Sequence, residues 1–256
     1  MPKKIIVWMV HLGVFPDTID QEKISDIITH AVFDIDNLQK GWVDAIIIEN
    51  DFEGIYSPYP EFLTNTQKRI FGIIMDKIHK FIKIPFGFCV LLNDYKTALH
   101  FAKIYWAWFI RLDTFVDKVQ RIKDWIIIDP NPQNIINYKK SIGADDIEIW
   151  ADIQVKHTKM LDSHKTLTQS ALQAIESWCS KIIITWDWTW KAPLLNLVRD
   201  LKGSVANFPI ILGSGMTAQN IKEYLEFADG VIVGSYFYEN SVINVEKVKL
   251  FMTEVN

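Results

Sequence analysis

Short apolar runs alternate with segments of helical spacing along the whole chain. Most of the runs are apolar throughout, which is typical of parallel strands that are buried on both faces. The pattern predicts eight strands, at Ile5–His11, Asp44–Asn50, Phe86–Asp94, Trp108–Thr114, Ile147–Ile153, Lys181–Asp187, Pro209–Gly215 and Gly230–Tyr236. Between them the spacing predicts helices, at Gln21–Gln39, Asn65–Lys80, Lys96–Ala107, Gln133–Ser141, Thr166–Ser180, Ala192–Lys202 and Ala218–Phe227. Eight strand–helix units predict an α/β fold, a (β/α)₈ TIM barrel, with an open doubly wound sheet as the alternative.

Length and composition agree with one barrel. The chain has 256 residues, is 49% hydrophobic and contains no Gly/Ser linker or charge block, so we expect a single domain over residues 1–256. Charged residues make up 23% and the net charge is −4, and no Lys/Arg cluster is long enough to bind DNA or RNA. The sequence therefore predicts that nucleic acid is not a partner.

The cysteines and the apolar runs indicate the compartment. Cys89 and Cys179 lack metal-type spacing, and we expect free, buried thiols in a reducing compartment. The apolar start of the chain is interrupted by His11 and lacks a small-residue cleavage site, so it predicts a strand rather than a signal peptide. No run approaches the ~20 residues of a membrane span. The sequence therefore predicts a cytoplasmic protein that is not an integral membrane protein.

Two glycine motifs near the end of the chain predict a phosphate site. Gly213, Ser214 and Gly215 end the seventh strand, and Gly234 and Ser235 end the eighth. In a TIM barrel these two loops often bind phosphate through backbone N–H groups, because glycine lets the anion approach closely. Thr217 suits the N-cap of the following helix. The alternative is two buried strands with tight turns.

Polar side chains stand at the ends of the other strands, where the active sites of such barrels lie. We interpret Asp152, His157 and Glu49 as catalytic acid–base residues. Candidate substrate-binding residues are His11, Asn50, Asn93, Asp94, Arg111, Lys156 and Asp187.

Structural alternatives apply to several of these side chains. Asp94 and Asp187 could cap the next element, Asn50 could hold a turn, and His11 could simply be packed. Arg111 needs a partner if buried, and Asp113 or Glu49 is the expected one, either in a structural ion pair or beside a substrate anion.

No cofactor is predicted from the sequence, and no residue set has the spacing of a specific metal site. Asp152, Asp113 and Glu49 are the alternative, a set of carboxylates that could hold a divalent cation.

The chain resembles the BtpA/SgcQ family nearly from end to end. The segments ADIQVKH at 151–157 and VLLND at 90–94 carry the more specific part of this resemblance. Further similar segments are Met9–Leu12, 31–50, Phe109–Arg111, Gly143–Asp145, 213–220 and 228–234. The resemblance implies a TIM barrel in a cytoplasmic or membrane-peripheral protein. The family name reflects photosystem I biogenesis, other members lie among sugar-uptake functions, and no settled reaction comes with it.

The chain also departs from the family pattern at three places, one of which is Phe115–Lys118 in the loop after strand 4. Leu92 replaces an arginine, and the loop after strand 6 carries Trp186, Trp188 and Trp190 instead of small residues. These indoles could stack on a ring or close the mouth of the barrel.

Two functions are compatible with these patterns. The first is an enzyme that acts on a small phosphorylated substrate, sugar- or nucleoside-like, by isomerase, lyase or glycosyl-bond chemistry. The second is a non-catalytic assembly or membrane-biogenesis factor, with Tyr105–Trp108 and Tyr236–Tyr238 as contact surfaces. A homo-oligomer is compatible with either function.

Overall fold

The computed structural model describes residues 3–51, 63–186, 191–234, 238–239 and 242–255. The strands are β1 Ile5–Val14, β2 Ala45–Asp51, β3 Phe86–Cys89, β4 Phe109–Leu112, β5 Val119–Arg121, β6 Ile127–Ile128, β7 Glu148–Ile153, β8 Thr158–Met160, β9 Lys181–Ile184, β10 Ile210–Leu212, β11 Gly230–Val233, β12 Tyr238–Glu239 and β13 Val242–Ile243. The helices are α1 Gln21–Lys40, α2 Asn65–Ile78, α3 Tyr95–Ile104, α4 Pro132–Ser141, α5 Leu167–Glu176, α6 Leu195–Val205, α7 Ile221–Tyr224 and α8 Val245–Val255, with a 3₁₀ turn at His79–Phe81.

Eight parallel strands close into a barrel in the order β1-β11-β10-β9-β7-β4-β3-β2. Strand β1 closes the ring, since Val7 pairs with Ile232 of β11 and Trp8 pairs with Ile46 of β2. The prediction of a TIM barrel is confirmed, and the open sheet is wrong.

The strands alternate between two cores. Val7, Met9, Ile47 and Ile183 belong to a small cluster inside the barrel, whereas their sequence neighbours pack outward against the helices. Because side chains alternate with period two along a strand, the next inward positions lie at the carboxyl ends of the strands. Those positions carry the polar groups of the mouth.

Side-chain caps start several of the helices. Thr64 forms a capping box with Gln67 at α2, and Thr166 forms one with Gln169 at α5. Each cap satisfies backbone N–H groups that would otherwise lack acceptors. The predicted starts of these two helices agree with the structure to within two residues.

The helix predicted at Ala218–Phe227 is wrong in length and in its cap. Helix α7 spans only Ile221–Tyr224 and follows Asn220. The Thr217 amide donates to Asn220 Oδ1 at 2.9 Å, and Asn220 Nδ2 donates to the Gly215 carbonyl at 2.9 Å. This side chain keeps residues 217–220 in a turn, so Thr217 does not cap a helix.

A small antiparallel sheet, which the sequence pattern did not predict, lies beside the mouth. Its strand order is β6-β5-β8, and it joins the loop after β4 to the loop after β7. Gln120 pairs with Lys159, and Arg121 pairs with Thr158. Residues from two separate βα loops are thereby held together on one side of the barrel mouth.

The Asp117 side chain connects the same two loops through hydrogen bonds. Its carboxylate accepts hydrogen bonds from the Gln154 amide at 2.8 Å, Ser170 Oγ at 2.7 Å and Lys165 Nζ at 2.6 Å. The side chain is 1% exposed. Buried charge is tolerated here because both oxygens are hydrogen-bonded and a cation is paired with them.

Both cysteines are buried and free, as the sequence predicted. None of the helices in the described ranges is both long and apolar enough to span a lipid bilayer.

Candidate functional site

A cavity of about 450 Å³ lies at the carboxyl ends of the barrel strands. Its size is that of a small-ligand pocket, and its position is that of the active site in other TIM barrels. The predicted site residues in its wall are His11, Glu49, Arg111, Lys156, His157, Gly213, Ser214, Gly215 and Gly234. The structure therefore brings together nine residues from six separate segments of the sequence.

Asn50 and Asn93 lie beneath the loops instead of in the cavity wall. Asn50 Oδ1 accepts the Leu91 amide at 3.0 Å. Asn93 donates to the Thr114 carbonyl at 2.8 Å and accepts the Thr114 amide at 3.1 Å. Both side chains are buried, and their hydrogen-bonding groups hold one strand end against the next.

Asp94 caps α3, as the structural alternative expected. Its carboxylate accepts the Thr97 amide at 3.0 Å and Thr97 Oγ1 at 2.8 Å. Burial raises the pKa of Asp94, against the lowering effect of the hydrogen bonds from Thr97. Of the other predicted site residues, Asp187 and Ser235 lie outside the described residues.

Arg111 is paired with Asp152, so the expectation of Asp113 or Glu49 as its partner is wrong. Nε and Nη2 of Arg111 donate to the same oxygen, Oδ2 of Asp152, at 3.2 and 2.8 Å. Neighbouring strands explain the choice, because β4 pairs with β7 and Arg111 lies opposite Trp150, two residues before Asp152. Arg111 lines the cavity, whereas Asp152 is 1% exposed and lies behind it.

Only one of the two carboxylate oxygens of Asp152 accepts hydrogen bonds among the described residues. Its Oδ1 is buried and has no hydrogen-bond partner within the described part of the chain. Burial raises the pKa of Asp152 to about 7, against the opposing effect of Arg111, and the charge of Asp113 adds to the increase. This carboxyl orients Arg111 instead of facing a ligand.

His11 and Glu49 form a pair across β1 and β2, where they are register partners. His11 Nδ1 lies 3.2 Å from Glu49 Oε1. Burial opposes charge on both groups, but their hydrogen bond and mutual attraction raise the pKa of His11 and lower that of Glu49. The pair therefore stabilises an imidazolium beside a carboxylate.

Asp113 is a cavity residue that the sequence reasoning treated only as a partner for Arg111 and as part of the alternative carboxylate set. Cys89 Sγ donates to its Oδ1 at 3.9 Å. Burial raises the pKa of Asp113, Arg111 opposes the increase, and Glu49 adds to it. A period-two pattern was the missed signal, since Asp113 lies two residues after Arg111 on the same face of the chain.

Lys156 and His157 follow β7 and line the cavity on the side of the small sheet. The Lys156 amide donates to Thr185 Oγ1 at 3.0 Å, and the His157 carbonyl accepts the Ile122 amide at 3.0 Å. Burial lowers the pKa of both side chains, and a neighbouring cation adds to the effect on each: Arg111 on Lys156, and Lys156 on His157. Arg121 of β5 also lines the cavity, and its position in an unpredicted sheet hid it from sequence reasoning.

The loop after β10 is fixed by its packing. Ser214 Oγ accepts the Trp186 amide and donates to the Lys191 carbonyl, both at 3.1 Å. Gly215 has φ +71°, and a Cβ there would lie 2.1 Å from the Ala192 nitrogen. Glycine is required at this position by the approach of a neighbouring backbone as well as by its own conformation.

Three consecutive amides of this loop have no acceptor. Among the described residues, the N–H groups of Ser214, Gly215 and Met216 donate no hydrogen bond. All three residues line the cavity. Successive unpaired amides in a glycine loop form an anion-binding concavity.

Metal-type clusters do not occur within the described ranges, where no three or more His, Cys, Asp or Glu residues could hold one ion. The carboxylates Asp152, Asp113 and Glu49 are accordingly not gathered around a common point. Of the three indoles of the loop after β9, Trp188 and Trp190 lie outside the described residues, and Trp186 is half-buried.

Relatives of the chain were found among curated proteins. The photosystem I biogenesis protein BtpA of Synechocystis is 28% identical over 242 residues, which cover 93% of this chain and 82% of that protein. An uncharacterised protein of Archaeoglobus fulgidus is 29% identical over 250 residues, which cover 96% of each chain.

Solved structures share the fold at low identity. (S)-3-O-geranylgeranylglyceryl phosphate synthase of Thermoplasma acidophilum, solved with its substrate sn-glycerol-1-phosphate, superposes with a TM-score of 0.62 at 12% identity, over 99% of this chain and 94% of that one. Thiamine phosphate pyrophosphorylase of Pyrococcus furiosus gives a TM-score of 0.60 at 14% identity, over 99% and 96%. The BtpA family profile matches residues 2–256, and the chain belongs to the BtpA family.

Proposed function

We propose that the protein is an enzyme that acts on a small phosphorylated substrate by acid–base chemistry at the barrel mouth. The observation that carries this proposal is one cavity that holds both an unpaired amide loop, Ser214–Met216, and the ionisable groups His11, Glu49 and Asp113. Stability alone requires neither feature.

The glycine loops supply the phosphate contacts in this proposal. Amides of Ser214, Gly215 and Met216 donate to the phosphate, and Gly234 leaves room for it, with Gly213 beside them. Ser235, which lies outside the described residues, stays a predicted phosphate contact. Arg111 balances further negative charge on the substrate, and Lys156 contacts the substrate from the side of the small sheet. The solved neighbours support this assignment in part, since the synthase of Thermoplasma acidophilum is in complex with a phosphorylated substrate, sn-glycerol-1-phosphate.

The ionisable groups are assigned by their surroundings. His11, paired with Glu49, transfers a proton at one face of the substrate, and Asp113, whose pKa is raised by burial, transfers one as an acid. Asp152, a catalytic candidate from the sequence, becomes a positioning residue because it contacts Arg111 and does not line the cavity. His157 stays a candidate acid–base residue at the exposed rim. Isomerase, lyase and glycosyl-bond chemistry all use such a set.

Gly234→Asp is the sharpest test of the phosphate site. The Gly215→Asp change is unsuitable, because its Cβ would collide with the backbone of residues 191–192. At Gly234 the nearest described heavy atom to a new Cβ is Met9 Cγ, at 3.8 Å. The variant should therefore fold while placing a carboxylate in the cavity wall.

We expect inorganic phosphate and glycerol phosphate to bind the wild type and to bind Gly234→Asp at least about tenfold more weakly, because like charges ~4 Å apart repel by several kcal/mol. Isothermal titration calorimetry measures both. Gly203→Asp on α6 is the matched control, since nothing lies within 4 Å of its Cβ. Equal phosphate affinity in the wild type and Gly234→Asp would contradict the proposal.

One observation favours the second function, an assembly or membrane-biogenesis factor. Trp106 and Trp108 are 79% and 62% exposed at the opposite end of the barrel, where exposed indoles are typical of contact surfaces. A relative named for photosystem I biogenesis agrees with that function. If no phosphorylated compound binds the cavity, this second function is the better account of the protein.

A further inference from the structure

Lys156 differs from three other partly buried lysines of the chain. Lys165 pairs with Asp117, Lys181 with Glu148, and Lys202 with Asp229. Lys156 forms no ion pair within the described ranges, although it lines the cavity. A partly buried ammonium without a directly paired carboxylate is costly, and this makes Lys156 a candidate for a role in the cavity.

The surroundings of Lys156 shift its side chain toward the neutral amine. Burial lowers its pKa, the charge of Arg111 lowers it further, and Asp152, Glu49 and Asp113 oppose the change only in part. Desolvation beside a second cation is a known way to activate a lysine as a nucleophile. Thr185 Oγ1 holds the Lys156 backbone at the end of β7, so the side chain starts from a fixed point on the barrel rim.

A proton donor lies within the same cavity. Asp113 lines it, and burial raises the pKa of its carboxyl group. A carboxyl group whose pKa is raised by burial is a better proton donor to a leaving hydroxyl group than an ordinary carboxyl group. The cavity thus holds an amine, an acid and an amide loop for phosphate.

We propose that Lys156 is a nucleophile that forms an imine with a small phosphorylated aldehyde or ketone. The inference rests on the proposed function and names its substrate class, a phosphate ester that also carries a carbonyl group.

Imine formation conserves atoms and protons with the groups present. The Lys156 nitrogen bonds to the carbonyl carbon, and one N–H proton moves to the oxygen to give a carbinolamine. Asp113 then donates a proton to this hydroxyl group, the C–O bond breaks, and water leaves as the nitrogen lone pair forms the C=N bond. The products are a protonated imine, one water and the Asp113 carboxylate. The Glu49 carboxylate, which lines the same cavity, can next remove a proton from the carbon beside the imine.

Reductive trapping tests the proposal. Purified protein is incubated with glyceraldehyde 3-phosphate and sodium cyanoborohydride, which reduces imines to stable amines, and the adduct is located by peptide mass mapping. We expect one main adduct, on Lys156, and its loss when inorganic phosphate is added in excess. Lys156→Arg should lose this adduct. Lys159→Arg, a change at an exposed lysine of β8, should keep it.

The outcomes separate the two proposals. An adduct spread over exposed lysines and unchanged in Lys156→Arg would overturn the imine. Phosphate binding that depends on Gly234, without an adduct on Lys156, would overturn the imine and leave the proposed function standing. If Lys156→Arg fails to fold, mapping of the wild-type adduct still decides whether Lys156 reacts.

Discussion

Asp117 and Asp152 are two buried carboxylates at the same end of the barrel, and they differ in how many of their oxygens accept hydrogen bonds. Each is 1% exposed and each is paired with a cation. Asp117 uses both oxygens and accepts three hydrogen bonds, from a backbone amide, a hydroxyl group and Lys165. Asp152 uses only Oδ2, for Arg111, and its Oδ1 has no partner among the described residues.

This difference in hydrogen bonding indicates a structural role for Asp117 and a role at the cavity for Asp152. A saturated carboxylate fixes the loops around it, and its cation, Lys165, does not line the cavity. An unsaturated carboxylate at the back of a cavity leaves its cation, Arg111, in the wall where a ligand can reach it. Incomplete hydrogen bonding at a buried charge is tolerated where the charge has another task.

The largest effect is expected for Asp117→Asn. An amide cannot accept at both ends, so at least one donor loses its acceptor and Lys165 loses its counter-charge. We expect a loss of about 3–5 kcal/mol in the free energy of unfolding, the cost of breaking a buried pair from one side. Urea unfolding measures it. A loss below about 1 kcal/mol would show that this pair is not structural.

Asp152→Asn should cost less stability than Asp117→Asn. The amide oxygen can take both Arg111 bonds, and the NH₂ group can occupy the Oδ1 position, which has no described partner. We expect a loss of about 1.5–3 kcal/mol in the free energy of unfolding, the value of a hydrogen bond to a charged group. The affinity for glycerol phosphate should fall, because Arg111 loses its orienting charge. Unchanged affinity would remove Asp152 from the site.

The pH dependence of the free energy of unfolding gives a second comparison between the wild type and Asp152→Asn. The pKa of Asp152 is raised from 3.8 to about 7 in the folded protein, so the folded state holds this proton between those values while the unfolded chain releases it. Wild-type stability should therefore fall across this window, by comparison with Asp152→Asn, as the pH rises. A parallel pair of stability curves would contradict the burial assigned to this carboxyl.

The smallest effect is expected for His11→Gln, at a pair that is partly solvated. The pKa of His11 is raised above 6.5, so its contribution is present below 6.5 and is lost as the pH rises. The pKa of Glu49 is lowered below 4.5, so its contribution is present above 4.5 and is lost as the pH falls.

The stability difference between wild type and His11→Gln should therefore be largest between pH 4.5 and 6.5. It should stay below about 1 kcal/mol, since the His11 side chain is 40% exposed and solvent screens the pair. Urea unfolding at several pH values measures it. A difference that grows above pH 7 would refute the pairing with Glu49.

The fold could be predicted because each local pattern agrees with the barrel. The apolar runs mark strands buried on both faces, and the polar residues that follow them mark the mouth. The carboxyl-end positions of His11, Glu49, Arg111 and Lys156 follow directly from this rule. Period-two alternation would also have placed Asp113 in the cavity.

The remainder of the site depends on contacts between loops, which no local pattern encodes. The partner of Arg111 is set by the register of β4 against β7. The turn at Thr217 is set by the Asn220 side chain, and the need for glycine at 215 arises from the backbone of residues 191–192. Strands of two or three residues, such as β5, β6 and β8, carry too few side chains for a periodic signal.

The small sheet β6-β5-β8 has a consequence for attempts to redesign the protein. TIM barrels gain new specificities when single βα loops are exchanged, because each loop is normally an independent module. Here the loop that carries Arg121 and the loop that carries Lys156 and His157 pair as strands and share the Asp117 anchor. Exchange of either loop alone would break that pairing, so both loops have to be exchanged together.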